Sequence, residues 1–277
     1  MNTNALSTTS SNADFFKTLS TFQGGNETPR PTYIRLDGKS GMWHTSSFNQ
    51  TEKKQEKKPW KGGGAWDASI LLVRWFAKEK YKEGYQGPTR RTREFADWND
   101  EIKLLSINWD DKENKSSEIA IYPSYHDFKD AIDAEFAQAV NVAILEKKQI
   151  PNQKDFQFDL WASAYCLDLE TNRIVNVKLK GVSRKGVFDY LRNWKKAFDG
   201  VDSISQIATR FDIVEFTEPQ KYYAAKFVPE RVLDEGEQER VRQAILELLA
   251  WQKSFEKEET ETEKTEVLDE NGQSIPF

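Results

Sequence analysis

The sequence predicts an α+β chain in which a mainly antiparallel sheet or barrel is interrupted by helices. Three observations predict it. Short alternating runs such as EIKLLSINW, SSEIAIY and RFDIVEF read as strands. Phe128, Ile132, Phe136, Val140 and Ile144 recur every four residues and read as one helix face. DFQFDLWASAYCLDLETNRIVNVKLKG holds two alternating runs around ETNR and reads as a hairpin.

Residues 1–30, rich in Ser, Thr and Asn, are expected to form a flexible segment. Order begins at TYIRLDG and GMWHTSSF. The basic, glycine-rich TEKKQEKKPWKGGGAW reads as a mobile loop. ASILLVRWFAKEKY is apolar enough to be buried, and its pattern leaves strand and helix both open. EIKLLSINW and SSEIAIY are strands joined by DDKENK. Ser124 is placed as an N-cap with Asp127 behind it, starting a helix over about 124–147 that Pro151 ends. In the hairpin, a turn at Thr171 and Asn172 sets Tyr165 opposite Lys178 and Ser163 opposite Lys180. One face then holds Phe156, Phe158, Leu160, Ala162, Ala164 and Cys166 with Val175, Val177 and Leu179, a core face. The other holds Trp161, Ser163, Tyr165 and Leu167 with Asn176, Lys178 and Lys180. Next, Ser183 caps a helix that Gly200 stops. RFDIVEF and KYYAAKFV are strands split by TEPQ, and a last helix runs from about Asp234 to Phe255. The expected organisation is one body over 31–255 and a disordered acidic tail over 256–277.

Charge is unevenly placed. The net is −5, but the stretch Glu256–Glu270 alone carries eight acids against two lysines. Two basic stretches balance it: twelve basic and four acidic residues from Lys53 to Arg93, and eight basic and one acidic from Arg173 to Lys196. No apolar run reaches the roughly 20 residues of a membrane span, and the N-terminus lacks the look of a signal peptide. The single cysteine, Cys166, fits a reducing cytosol, so a cytoplasmic protein without a membrane partner is expected. Two histidines and one cysteine leave little material for a metal, and no cofactor is expected.

Gly62–Gly64 follow a lysine instead of leading into Gly-Lys-Ser/Thr, so they do not form a phosphate loop. No G-x-S-x-G elbow occurs, and Cys166 falls on the core face, away from nucleophilic work. A Mg²⁺-dependent carboxylate nuclease is one alternative. Glu101 and Lys103, with Asp97 upstream, have the required form, as do Glu113 and Lys115. A protein-only adaptor is a second. Binding of single-stranded nucleic acid draws on more features, because it needs cations for phosphates and exposed rings on which bases stack. Trp161, Tyr165, Lys178 and Lys180 supply both on one sheet face, with Arg184 close behind. Lys53, Lys54, Lys57, Lys58, Trp60, Lys61 and Trp66 supply both on the basic loop.

The chain closes with DENGQSIPF. An acidic stretch finishing in Ile-Pro-Phe resembles the C-terminal tip of the bacterial and phage-type single-stranded DNA-binding proteins. That resemblance covers about ten residues, with Asn271, Gly272, Gln273 and Ser274 where the family usually has acids. It implies an OB-like antiparallel β-barrel with inserted helices, a non-enzymatic role in DNA replication, recombination or repair, and a tip that recruits partner proteins. By resemblance Ile275, Pro276 and Phe277 dock in a partner's pocket, with Asp269 and Glu270 as the acidic part.

Overall fold

A computed structural model describes residues 31–49, 54–80, 88–107 and 116–263, without the side chains of 46–56 and 254–263. Lys53, the DDKENK turn, Glu113, Lys115 and the whole DENGQSIPF ending lie outside the described residues.

The first strands are, in order, β1 (Thr32–Asp37), β2 (Met42–Asn49), β3 (Lys54–Pro59), β4 (Trp66–Glu79), β5 (Thr89–Thr92), β6 (Ile102–Ile107) and β7 (Ser116–Tyr122), of which β6 and β7 are the expected pair EIKLLSINW and SSEIAIY. Helix α1 (Tyr125–Leu145) follows, then β8 (Phe158–Asp168), β9 (Ile174–Lys180), α2 (Gly181–Asn193), β10 (Ile207–Phe216), β11 (Tyr222–Val232) and α3 (Glu235–Glu263). They build one sheet in the order β3-β2-β1-β9-β8-β4-β5-β6-β7, from which β10 and β11 branch at β4. Every pairing is antiparallel except that of β1 with β9. The α+β class therefore holds, but the barrel does not: the sheet is open, with β3 and β7 at its ends. No helix among the described residues is long and apolar enough to cross a membrane.

β4 explains the branching. At fourteen residues it outruns its neighbours, so one edge serves two partners: Trp66–Ser69 pair with β10, and Lys78 pairs with Arg91 of β5. Its other edge runs along nearly all of β8. The segment expected to be a mobile loop is instead β3 and a short 3-10 turn at Lys61–Gly63, stitched to β2 from Asn49–Lys54 to His44–Pro59.

The hairpin keeps its expected faces with a two-residue correction in register. Tyr165 lies opposite Asn176 and Ser163 opposite Lys178, with Trp161 opposite Lys180. A wider loop causes the slip. Asp168 is buried and accepts from the Thr171 hydroxyl at 2.5 Å and the Lys61 ammonium at 2.5 Å, and Asn172 adopts φ +53°. A slip of two leaves each side chain on its original face, because strand faces repeat every two residues.

Ala162, Ala164, Cys166, Val175, Val177 and Leu179 accordingly form the centre of the core. Phe128 and Ile132 of α1 and Val187, Tyr190 and Trp194, from α2 and the turn after it, join that cluster. Ser124 caps α1 as expected, accepting from the Asp127 N–H at 3.2 Å. Ser183 does not cap α2. Its hydroxyl accepts from the Ala225 N–H at 2.9 Å, and Lys180 takes the cap position. The last helix also runs past Phe255 to Glu263, into the segment expected to be disordered.

Candidate nucleic-acid interface

Among the described residues, α3 covers only part of the face opposite the core. Val241, Ala244 and Leu248 of α3 lie over Leu71, Tyr165 and Leu167 there. Past Leu72 the same face of β4 changes character to Arg74, Phe76 and Lys78. Cross-strand pairing turns this alternation into rows. The row nearest α3 is Asn176–Tyr165–Leu72; the next is Lys178–Ser163–Arg74; then come Lys180–Trp161–Phe76 and the pair Lys78–Arg91. β1 contributes Tyr33, beside Asn176, and Arg35. Two adjoining hollows of about 620 and 490 Å³ share Arg35 and Lys178 in their walls. Arg93 and Glu94 continue the larger hollow, and Trp251 of α3 closes one side of it.

Rings and cations interleave across these rows. Phe76 and Trp161 stack with centroids 5.9 Å apart and planes 16° apart. Arg35 and Lys180 lie 5.5 and 5.2 Å from the Trp161 centroid, and Lys178 lies 4.8 Å from that of Phe76. Such contacts orient cations without neutralising them. Electrostatics records the crowding. Burial lowers the Lys78 pKa, and Arg35, Arg91 and Lys180 push it lower still. Burial also pulls Lys178 down, against the pull of Glu94, with Arg91 and Arg35 adding to the decrease. The groove holds more positive charge than its own acids offset, and a polyanion would relieve that excess.

Glu94 is the counterweight within the groove. Its carboxylate accepts from Lys178 at 2.6 Å, Ser163 at 2.6 Å and Tyr165 at 2.8 Å. Burial alone would raise its pKa; the Lys178 charge and these hydrogen bonds outweigh burial and hold it below the ordinary value. Tyr165 goes the other way, raised by burial and then by the Glu94 charge.

No protein-family model matches this chain, and no curated protein or solved structure matches it either. The chemistry of the site therefore rests on the chain's own residues.

Several expected residues do meet here. Trp161, Lys178, Lys180 and Lys57 line the smaller hollow, where Lys57 pairs with Asp37 at 2.9 Å. Tyr165 lines the larger one, but its ring is 3% exposed beneath Trp251, so a base cannot stack on it. Trp66 is corrected to a core residue, 4% exposed and stacked on Phe211 at 4.6 Å. Trp60 packs edge-on against it. Lys61 is tied to Asp168 and Glu170 at 2.5 and 2.6 Å, which makes it a structural cation. Lys58 is exposed on β3, and Lys54 is on that strand without a described side chain. Arg184 lies on α2 near Tyr125, on the helical side of the sheet.

Sequence reasoning missed Tyr33, Arg35, Arg74, Phe76, Lys78, Arg91, Arg93 and Glu94. The signal was present as period-two alternation in YIR and RWFAK, and it became readable only once β4 was known to be a strand. The nuclease alternative gains no support. Among the described residues no three His, Cys, Asp or Glu side chains lie together as metal ligands. Asp100, beside Glu101, accepts from the Ala96 and Asp97 N–H groups at 2.8 Å each.

Proposed function

We propose that this chain binds single-stranded DNA along the half-covered sheet face. In this reading it acts in replication, recombination or repair and performs no chemistry of its own. One observation carries the proposal: Arg74, Lys78, Lys178 and Lys180 alternate with Phe76 and Trp161 in cross-strand rows on a face that α3 leaves open. Arg35, Arg74, Lys78, Arg91, Arg93 and Lys180 take phosphates, and Trp161, backed by the buried Phe76, offers its ring to bases. A flat, half-open groove suits a flexible single strand better than a duplex, whose bases are already stacked inside. Ile275, Pro276 and Phe277, with Asp269 and Glu270, would then offer a docking peptide to processing enzymes, as the resemblance implies.

Intrinsic tryptophan fluorescence, titrated with an oligo-dT at low salt, tests the proposal. Saturable quenching that weakens as salt is raised is the expected result. An unchanged spectrum, with no mobility shift for any single-stranded oligonucleotide, overturns it. A protein partner that survives tail deletion, together with that negative result, would favour the adaptor instead.

A further inference from the structure

The smaller hollow runs up to the first turn of α2, and no side chain caps that turn. Gly181, at φ +56°, bends the chain out of β9, and Gly181, Val182 and Ser183 stand in the wall of the hollow. The first N–H groups of a helix have no partner within it, and a side-chain oxygen at the cap usually accepts from one of them. Here the cap position holds Lys180, whose ammonium can only donate. Ser183 is no substitute, because its hydroxyl accepts from the Ala225 N–H at 2.9 Å.

A second group in the same wall lacks a partner. His44 is 7% exposed, and its Nδ1 makes no hydrogen bond. Cross-strand pairing sets it beside Arg35. Burial, and then the Lys57 charge, lower its pKa, so near neutral pH the ring is uncharged and has one N–H to give. The charges around it are one-sided. Lys57 pairs with Asp37 at 2.9 Å and Lys178 with Glu94 at 2.6 Å. Asp37, the acid of this wall, also accepts from the Lys39 N–H at 2.9 Å. Arg35 and Lys180 have no carboxylate partner among the described residues and lie over the Trp161 ring.

One occupant answers all of these groups. It must bring several acceptor oxygens, for the uncapped N–H groups and for His44, and negative charge for Arg35 and Lys180. A phosphate does both, and a helix N-terminus favours it through free N–H groups and the positive end of the helix dipole. At about 490 Å³ the hollow has room for a phosphate together with what it is attached to. Through Arg35 and Lys178 it joins the larger hollow, so a strand lying there can reach it.

We propose that the smaller hollow is a phosphate-binding site, formed by the first turn of α2 with Arg35, Lys180 and His44. As the seat of one phosphate of a bound strand it rests on the DNA-binding reading; as a site for free phosphate it does not. Amide and imidazole NMR shifts of the full chain test it, with inorganic phosphate titrated against chloride at equal ionic strength. The expected result is saturable movement of the Gly181, Val182 and Ser183 amides and of the His44 ring in phosphate alone. Lys180→Gln, an exposed change, and His44→Leu should each weaken phosphate binding roughly tenfold, the scale of one charge-assisted hydrogen bond. An oligo-dT with hydroxyl ends should move the same signals and compete with phosphate, which makes the strand the source. Oligo-dT that binds without moving them makes free phosphate the ligand instead. Shifts no larger than those in chloride overturn the inference and leave oligo-dT binding to stand on its own. Phosphate binding unchanged in both variants overturns it too. Phosphate shifts without any binding of oligo-dT keep the site and remove the DNA-binding reading.

Discussion

Two tryptophans that look alike as letters do different work. Trp161 and Trp66 both belong to segments rich in lysine, and both invite a stacking role. Trp66 heads the run Trp66, Ala68, Ile70, whose side chains all face the core. Trp161 has the opposite parity to Ala162 and Ala164, which places it on the groove face beside Phe76. The residue-scale prediction separates them. Trp161→Ala should weaken oligo-dT binding by about 1–3 kcal/mol with little change in the urea midpoint. Trp66→Ala should cost about 3–5 kcal/mol of folding stability, because it empties a site packed by Trp43, Trp60 and Phe211. Paired titration and urea curves check both. Loss of stability in Trp161→Ala equal to that in Trp66→Ala would refute the assignment of Trp161 to an open face.

At the scale of elements, legibility followed the strength of local signals. α1 could be read because a cap and a four-residue period agree. The hairpin faces could be read because period two survives a slip of two, whereas its register depended on the buried Asp168 loop, whose partner Lys61 lies over a hundred residues away. β4 could not be assigned, because an apolar run carrying Arg74 and Lys78 satisfies either period. With β4 undecided, most of the groove stayed hidden. α3 has its own device. Asp234 and Glu237 exchange hydrogen bonds at 2.8 and 3.0 Å, a capping box, while Arg231 donates twice to Glu237 at 2.6 Å. The hydrogen bond from Arg231 is the main cause that lowers the Glu237 pKa to about 2. Glu237→Ala should therefore destabilise the fold by about 1–2 kcal/mol at neutral pH. A depressed carboxylate contributes fully above its unfolded pKa and loses that contribution as pH falls toward the folded one. The gap in urea stability between parent and variant should thus hold above about pH 5 and close toward pH 2. A gap that does not change across that range would show that the effect is not carried by the Glu237 charge.

Over the whole molecule, a net charge of −5 conceals a cationic face, and the proposed binding to a polyanion depends on that asymmetry. The open sheet makes the asymmetry possible, since α3 covers one half of the outer face and leaves the rows of cations on the other. Besides Lys178, which Glu94 matches, the two hollows are lined by six cations a strand can meet: Arg35, Arg74, Lys78, Arg91, Arg93 and Lys180. A single strand engaging all six should give a slope of log K against log salt of about −4. The same crowding predicts a pH dependence. In the free protein the Lys78 pKa is lowered by burial and then by Arg35, Arg91 and Lys180. A phosphate beside Lys78 favours the ammonium, so the bound state holds that proton to higher pH than the free one. Affinity is then complete below the free-state pKa of Lys78 and falls as pH rises through it, earlier than the roughly 10.4 of an ordinary lysine. Titrations with an oligonucleotide as pH is raised from about 7 toward the ordinary lysine range should show this decline, with proton uptake on binding in its upper part. In Lys78→Arg, whose guanidinium stays charged throughout, the decline should shrink while the salt slope is retained. A decline no earlier than that of an ordinary lysine in the parent protein would mean that phosphates do not approach Lys78, and would move the path of the strand toward Lys180 and Arg35.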